Sequence, residues 1–154
     1  MEIISPNNPR THLHRYLTAA YILFIAYVSL SPFTGWKEQG LSFSDVLTAP
    51  LTQTFTGFDF SLNILAYLPF GFLLAYMMRD HRSVPRVMFL STLSGLVMSL
   101  SMEYAQMYLP TRVSSNTDLI SNVLGTFIGA IIALIIVRHS WFSRVKVLPI
   151  SRSM

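Results

Sequence analysis

Four apolar runs, at residues 16–30, 61–78, 87–109 and 119–137, leave a chain of 154 residues few ways to fold. An α-helix needs roughly 20 apolar residues to cross a hydrocarbon core, and each run approaches that length. Inside lipid every backbone N–H and C=O must find a partner within the segment, so such runs form helices. Charged residues make up 12% of the chain, about half of the ~25% usual in soluble domains. Mean hydropathy is +0.49. The sequence therefore predicts an all-α polytopic membrane protein, a four-transmembrane-helix bundle. Its membrane domain spans residues 16–137, between an N-terminal tail (1–15) and a basic tail (138–154). The first run lacks a small-residue cleavage pattern and reads as a retained helix rather than a signal peptide.

The charges orient the bundle. Of eleven Lys and Arg residues, all but Lys37 and Arg112 fall in the two tails or in the 79–86 loop. The positive-inside rule then places both termini in the cytoplasm, with the first and third loops outside. Basic residues spread between and beyond apolar runs anchor to headgroups and do not point to nucleic acid. The chain has no cysteine, which excludes disulfides and thiolate metal sites. His12, His14, His81 and His139 all belong to the cytoplasmic side. A His-rich metal centre or a Ser-His-Asp site outside is therefore not expected. No cofactor is expected.

The outer side carries the chemistry. Asp59, Asn63, Glu103, Gln106, Arg112, Asp118 and Asn122 lie at or near the outer ends of the second, third and fourth runs. A carboxylate in such a run costs roughly 3 kcal/mol at a helix centre, less near the ends, so it faces a bundle interior or a wet cavity. Glu103 and Arg112 are expected to be coupled electrostatically, directly or through Asp118, because each alone is expensive at this depth. Ser91, Gly95, Ser99 and Glu103 recur at i+4 and share a face of the third run, where small residues allow close helix approach. Asp118, Asn122, Gly125, Gly129 and Ala133 share a face of the fourth. Pro69 leaves the Leu65 carbonyl without its helical donor, so a kink is expected there. The connector 33–58 repeats Phe43, Leu47, Leu51, Phe55 and Phe58 at near-helical spacing. It reads equally as an interfacial segment or as a loop packed over the helix ends.

Residues 59–66 (DFSLNILA) and 118–125 (DLISNVLG) resemble each other, with Asp and Asn four apart at the outer start of a span. A duplication would relate two helical hairpins by an axis along the membrane normal. Capping explains the aspartates as well, since Asp is a favoured N-cap and suits the positive helix end.

These residues also resemble a known pattern. Asp59-x-x-x-Asn63 with Leu68-Pro69-Phe70-Gly71, Ser99-x-x-x-Glu103-x-x-Gln106, Arg112, and Asp118-x-x-x-Asn122-x-x-Gly125-x-x-x-Gly129 are similar, in order and spacing, to the VanZ-like family of small bacterial membrane proteins. The resemblance covers residues 29–129. It implies a four-helix membrane domain and an association with low-level resistance to teicoplanin, an acylated glycopeptide, without a settled reaction. Acidic residues expected between the arginine and the aspartate are here Ser115, Asn116 and Thr117. If those acids bind a cation in relatives, the departure weighs against one here.

Three functions fit. In the first, an outward-facing polar pocket recognises a membrane lipid or lipid-linked envelope precursor, with Arg112 on a phosphate or carboxylate and the amides on the rest. In the second, an outer-leaflet enzyme uses Glu103 and Asp118 as acid and base, with Arg112 stabilising developing charge. No nucleophile or metal constellation supports that reading. In the third, the polar cluster fixes helix register and the protein works through a membrane-protein partner or a homo-oligomer.

Overall fold

The computed structural model describes residues 9–40, 42, 44, 48, 57–79, 82–112 and 114–145. Four helices account for most of them: α1 (Pro9–Leu30), α2 (Gly57–Met78), α3 (Val84–Gln106) and α4 (Asn116–Val145). No strand occurs among the described residues. Each helix is long and apolar enough to cross a membrane, and the chain is a multi-pass membrane protein of the four-helix type. Large apolar side chains such as Leu23, Leu65, Phe89 and Ile135 are exposed on the outside of the bundle. In water that would be a liability; in lipid it is the expected surface.

The helices run past the apolar runs. α1 begins at Pro9 rather than at 16, and α4 continues from Asn116 to Val145, well into the basic tail. Helical rise is 1.5 Å per residue, so these extensions supply the length that the short first run lacks. α2 takes up residues 57 and 58 of the connector, and α3 ends at Gln106, short of 109. Phe58 is the first exposed apolar residue of α2. Phe43, Leu47, Leu51 and Phe55 lie outside the described residues, as do His81 and the chain beyond 145.

The helix directions follow from contacts between named residues. Tyr21 donates to the Ala66 carbonyl (2.8 Å) and His14 meets Tyr76 edge-on, so α1 and α2 are antiparallel. Asn122 pairs with Ser99 and Gly95 abuts Thr126, so α3 and α4 are antiparallel too. Ile64 lies on Gly125 and Leu68 on Gly129, which makes α2 and α4 parallel. Gln106 reaches Ser29, and α1 is parallel to α3. This is the arrangement that two hairpins related about the bundle axis would have.

The most extensive pairing is that of α2 with α4. Its cause is the glycines. A Cβ at Gly125 would overlap the Ile64 backbone, one at Gly129 the Leu68 carbonyl, and one at Gly71 the Thr126 backbone. Backbones in such contact gain van der Waals packing, which is what associates helices in a medium as apolar as their side chains. α2 runs as one helix through Pro69. Tyr21 bonds the carbonyl next to the one that Pro69 leaves without a donor. On α3 the buried row is Val87, Ser91, Gly95, Ser99 and Glu103, the small-residue face read from the spacing. α1 is the least buried span and rests on the bundle through Thr18, Tyr21 and Ile25.

Candidate functional site

The ends of α1 and α3 and the starts of α2 and α4 meet at one end of the bundle. Between them is a cavity of about 160 Å³. Six of the seven polar residues singled out in the sequence line it: Asn63, Glu103, Gln106, Arg112, Asp118 and Asn122. Asp59 is outside the lining, on the exposed first turn of α2, close enough to Asp118 that the two acids repel. The Asn63 amide lies against the Asp118 carboxylate as a donor. On the α1 side the walls are apolar, from Phe24, Ile25 and Val28.

Glu103 is 4% exposed. Its Oε2 accepts the backbone N–H of Ser115 at 2.8 Å, while Ser114 Oγ donates to its carbonyl. Ser115 is the residue before α4, and its Oγ accepts the Thr117 N–H at 3.2 Å. Ser115 thus caps α4, in the position where hydroxyl side chains are favoured. In a capping box the N3 carboxylate returns to the cap's own N–H. Here N3 is Asp118, and Glu103 from another helix takes that N–H in its place. Asp118 is left to face the cavity, and the expected cap role for it gives way to Ser115. Glu103 also puts a carboxylate at the positive end of α4.

Arg112 does not pair with Glu103. Its Nε donates to the Ser31 carbonyl (3.2 Å) and its Nη2 to Val28 (2.9 Å) and Ser31 (2.9 Å). Gln106 Nε2 donates to Ser29 (3.0 Å). The last carbonyls of a helix have no intrahelical donor, and here α1 receives its donors from the end of α3 and the turn after it. The reason a direct ion pair fails is that Ser115 already holds Glu103 while two carbonyls, those of Val28 and Ser31, lie within reach of the guanidinium. Arg112→Gln should therefore loosen α1, by about 1 kcal/mol after allowing for the exposure of the guanidinium. Limited proteolysis within α1 measures it. Combined with Glu103→Gln, the two losses should add, since the residues have no common partner.

Asn122 is buried and donates through Nδ2 to Ser99 Oγ at 2.9 Å. Its Oδ1 has no hydrogen-bond partner among the described residues, and the Tyr67 hydroxyl lies beside Ser99. Tyr67 lines the same cavity, and sequence reading passed over it as one more residue of an apolar run. Its one signal was position, four residues after Asn63 and so on the same face. The spacing marks Ser99 only as a small residue, and Ser115 stands out only as a departure from the expected acids; their hydroxyls hold Asn122 and start α4.

At the rim, Tyr104 and Tyr108 share a hydrogen bond of 3.0 Å. That bond is the main reason the Tyr108 phenol is pushed up from its ordinary value. Interfacial tyrosines are usual at this level of a membrane helix. The connector is tied to the same end, Lys37 N–H to the Tyr108 carbonyl and Gln39 Nε2 to the Met107 carbonyl. The opposite end of the bundle carries Arg79 over the Tyr76 ring, with Arg82 and Arg86 nearby in the chain and Arg138 beside Arg79 in the lining of a surface pocket. No group of three potential metal ligands exists among the described residues.

A family model described as VanZ/LLP1 matches residues 5–137. No curated protein and no solved structure matches the chain significantly. With the match running through all four spanning helices and every residue of the cavity, the chain belongs to the VanZ/LLP1 family.

Proposed function

We propose that this protein seats the polar head of a membrane amphiphile, a lipid or lipid-linked envelope precursor, in the cavity at the polar end of the bundle. The observation that carries the reading is the cavity itself. It gathers Asn63, Glu103, Asp118 and Asn122 from three helices, and Asn122 Oδ1 has no partner among the described residues. Buried polar atoms without partners are rare in native proteins. A volume of about 160 Å³ is below the ~300–1,000 Å³ of drug-sized pockets. It admits a head-group fragment and excludes a whole glycopeptide. A contribution to teicoplanin resistance would then act through the lipid surface rather than by enclosing the drug.

The membrane is the bacterial cytoplasmic membrane in this reading, with both termini inside. The arginines at the far end of the bundle support it by the positive-inside rule. The native chain has no cysteine, so single cysteines report topology directly. Thr111→Cys, at an exposed position beside the cavity, should react with an impermeant maleimide on intact spheroplasts. Ser83→Cys, exposed at the far end, should react only after permeabilisation. The reverse pattern would turn the cavity to the cytoplasm and remove the outer-leaflet reading.

A structural reading has its own observations. Glu103, Gln106 and Arg112 each hold a helix end. Asn122→Ala read against Ser99→Ala separates the two, because both lose the bond between α3 and α4 and only the first removes Oδ1. An amphiphile seat predicts lipid retention lost in the first alone at matched membrane expression, and a purely structural cluster predicts the same retention in both.

A further inference from the structure

The donor and acceptor inventory of the cavity specifies what would complete it. Glu103 and Asp118 contribute carboxylates, and Asn122 contributes an amide oxygen. Carboxylates and amide oxygens only accept hydrogen bonds, while a phenol can accept as well as donate. Asn122 Oδ1 and Tyr67 OH belong to side chains 6% and 3% exposed, and Asn122 Oδ1 has no partner among the described residues. Arg112 is the single cation among the lining residues. Its Nε and Nη2 are spent on the carbonyls of Val28 and Ser31. The positive end of α4 faces the cavity, but roughly half a charge there is opposed by two carboxylates. What the cavity lacks is a compact donor carrying positive charge.

We propose that the cavity selects a primary ammonium group, so that the amphiphile seated there is amine-headed, of the phosphatidylethanolamine kind. This rests on the amphiphile seat proposed above and specifies its ligand. The ammonium lies among Asp118, Asn122 Oδ1 and Tyr67 OH, where its three N–H donors meet acceptors. Nη1 of Arg112 takes part in none of the α1 bonds and is placed to meet the phosphate beside that ammonium. A trimethylammonium head has the charge but no N–H and a larger girth. A glycerol head has donors but no charge.

The test uses the full chain in nanodiscs containing equal amounts of phosphatidylethanolamine, phosphatidylglycerol and phosphatidylcholine with matched acyl chains. Native mass spectrometry after mild release reads the retained lipid. Phosphatidylethanolamine should be retained over the other two by about tenfold or more, the range of one charge-assisted hydrogen bond. Asp118→Asn and Tyr67→Phe should each reduce that preference. Asn122→Asp, which keeps the acceptor and adds charge, should preserve or raise it. Equal retention of all three lipids, still lost in Asn122→Ala, would overturn the ammonium assignment and leave the amphiphile seat standing. Preference for phosphatidylglycerol, abolished by Asn122→Asp, would overturn it in favour of an anion. Retention of no lipid would overturn both proposals. Tyr67→Phe keeps the ring and removes the hydroxyl, so its failure to alter the preference in a folded protein would also count against the assignment.

Discussion

Gly129→Ala is expected to stop the protein accumulating in the membrane as a folded bundle. A Cβ at this position would overlap the Leu68 carbonyl and crowd the Phe72 N–H. These are backbone atoms of α2, and no rotamer change moves them aside. Overpacking typically costs 1–3 kcal/mol where side chains can adjust, and the cost here should exceed that range because the two helices must separate. Gly125→Ala, against the Ile64 backbone, should behave alike. Gly95→Ala is the informative contrast. Its obstacle is the side chain of Thr126, so the double variant Gly95→Ala with Thr126→Gly should recover part of the loss. Thermal stability in detergent, with membrane yield, reads all four. Full stability of Gly129→Ala would mean that α2 and α4 do not pack as described.

Glu103→Leu is expected to be the most damaging single change in the polar cluster. It removes the acceptor for the Ser115 N–H at 2.8 Å and takes a negative charge away from the start of α4. A stranded buried donor costs about 1–3 kcal/mol, and a charge at a helix terminus adds a few tenths to 1 kcal/mol. Glu103→Gln keeps an acceptor oxygen in the same place and should keep most of the stability. That pair of variants also separates binding from catalysis. General acid–base work contributes typically 10²–10⁴-fold, and Gln cannot shuttle a proton at neutral pH. A Glu103→Gln protein that folds, retains lipid and loses its cellular phenotype would favour an enzyme. One that folds, retains lipid and keeps the phenotype would favour the amphiphile seat.

The four helices, and the end of the bundle where the polar residues gather, were legible in the sequence because both follow from one-dimensional rules. Apolar length sets the spans. The 3.6-residue period places Ser91, Gly95, Ser99 and Glu103 on one face, and that face is the buried one. Asn63, Asn122 and Asp118 come together because two similar starts of parallel helices sit side by side. What each polar residue touches was not legible, since a partner 81 or 84 residues away leaves no local trace. Charge alone suggested an Arg112–Glu103 pair. Only the packed helices show that α1 ends in unpaired carbonyls beside the turn after α3, which draw the guanidinium away. The same packing gives Glu103 to the first N–H before α4, makes Ser115 the cap, and leaves Asp118 facing a cavity. Tyr67 shows the limit most clearly. In a run of apolar residues its hydroxyl looks incidental, and its meaning comes from a space that exists only when α1, α2, α3 and α4 close around it.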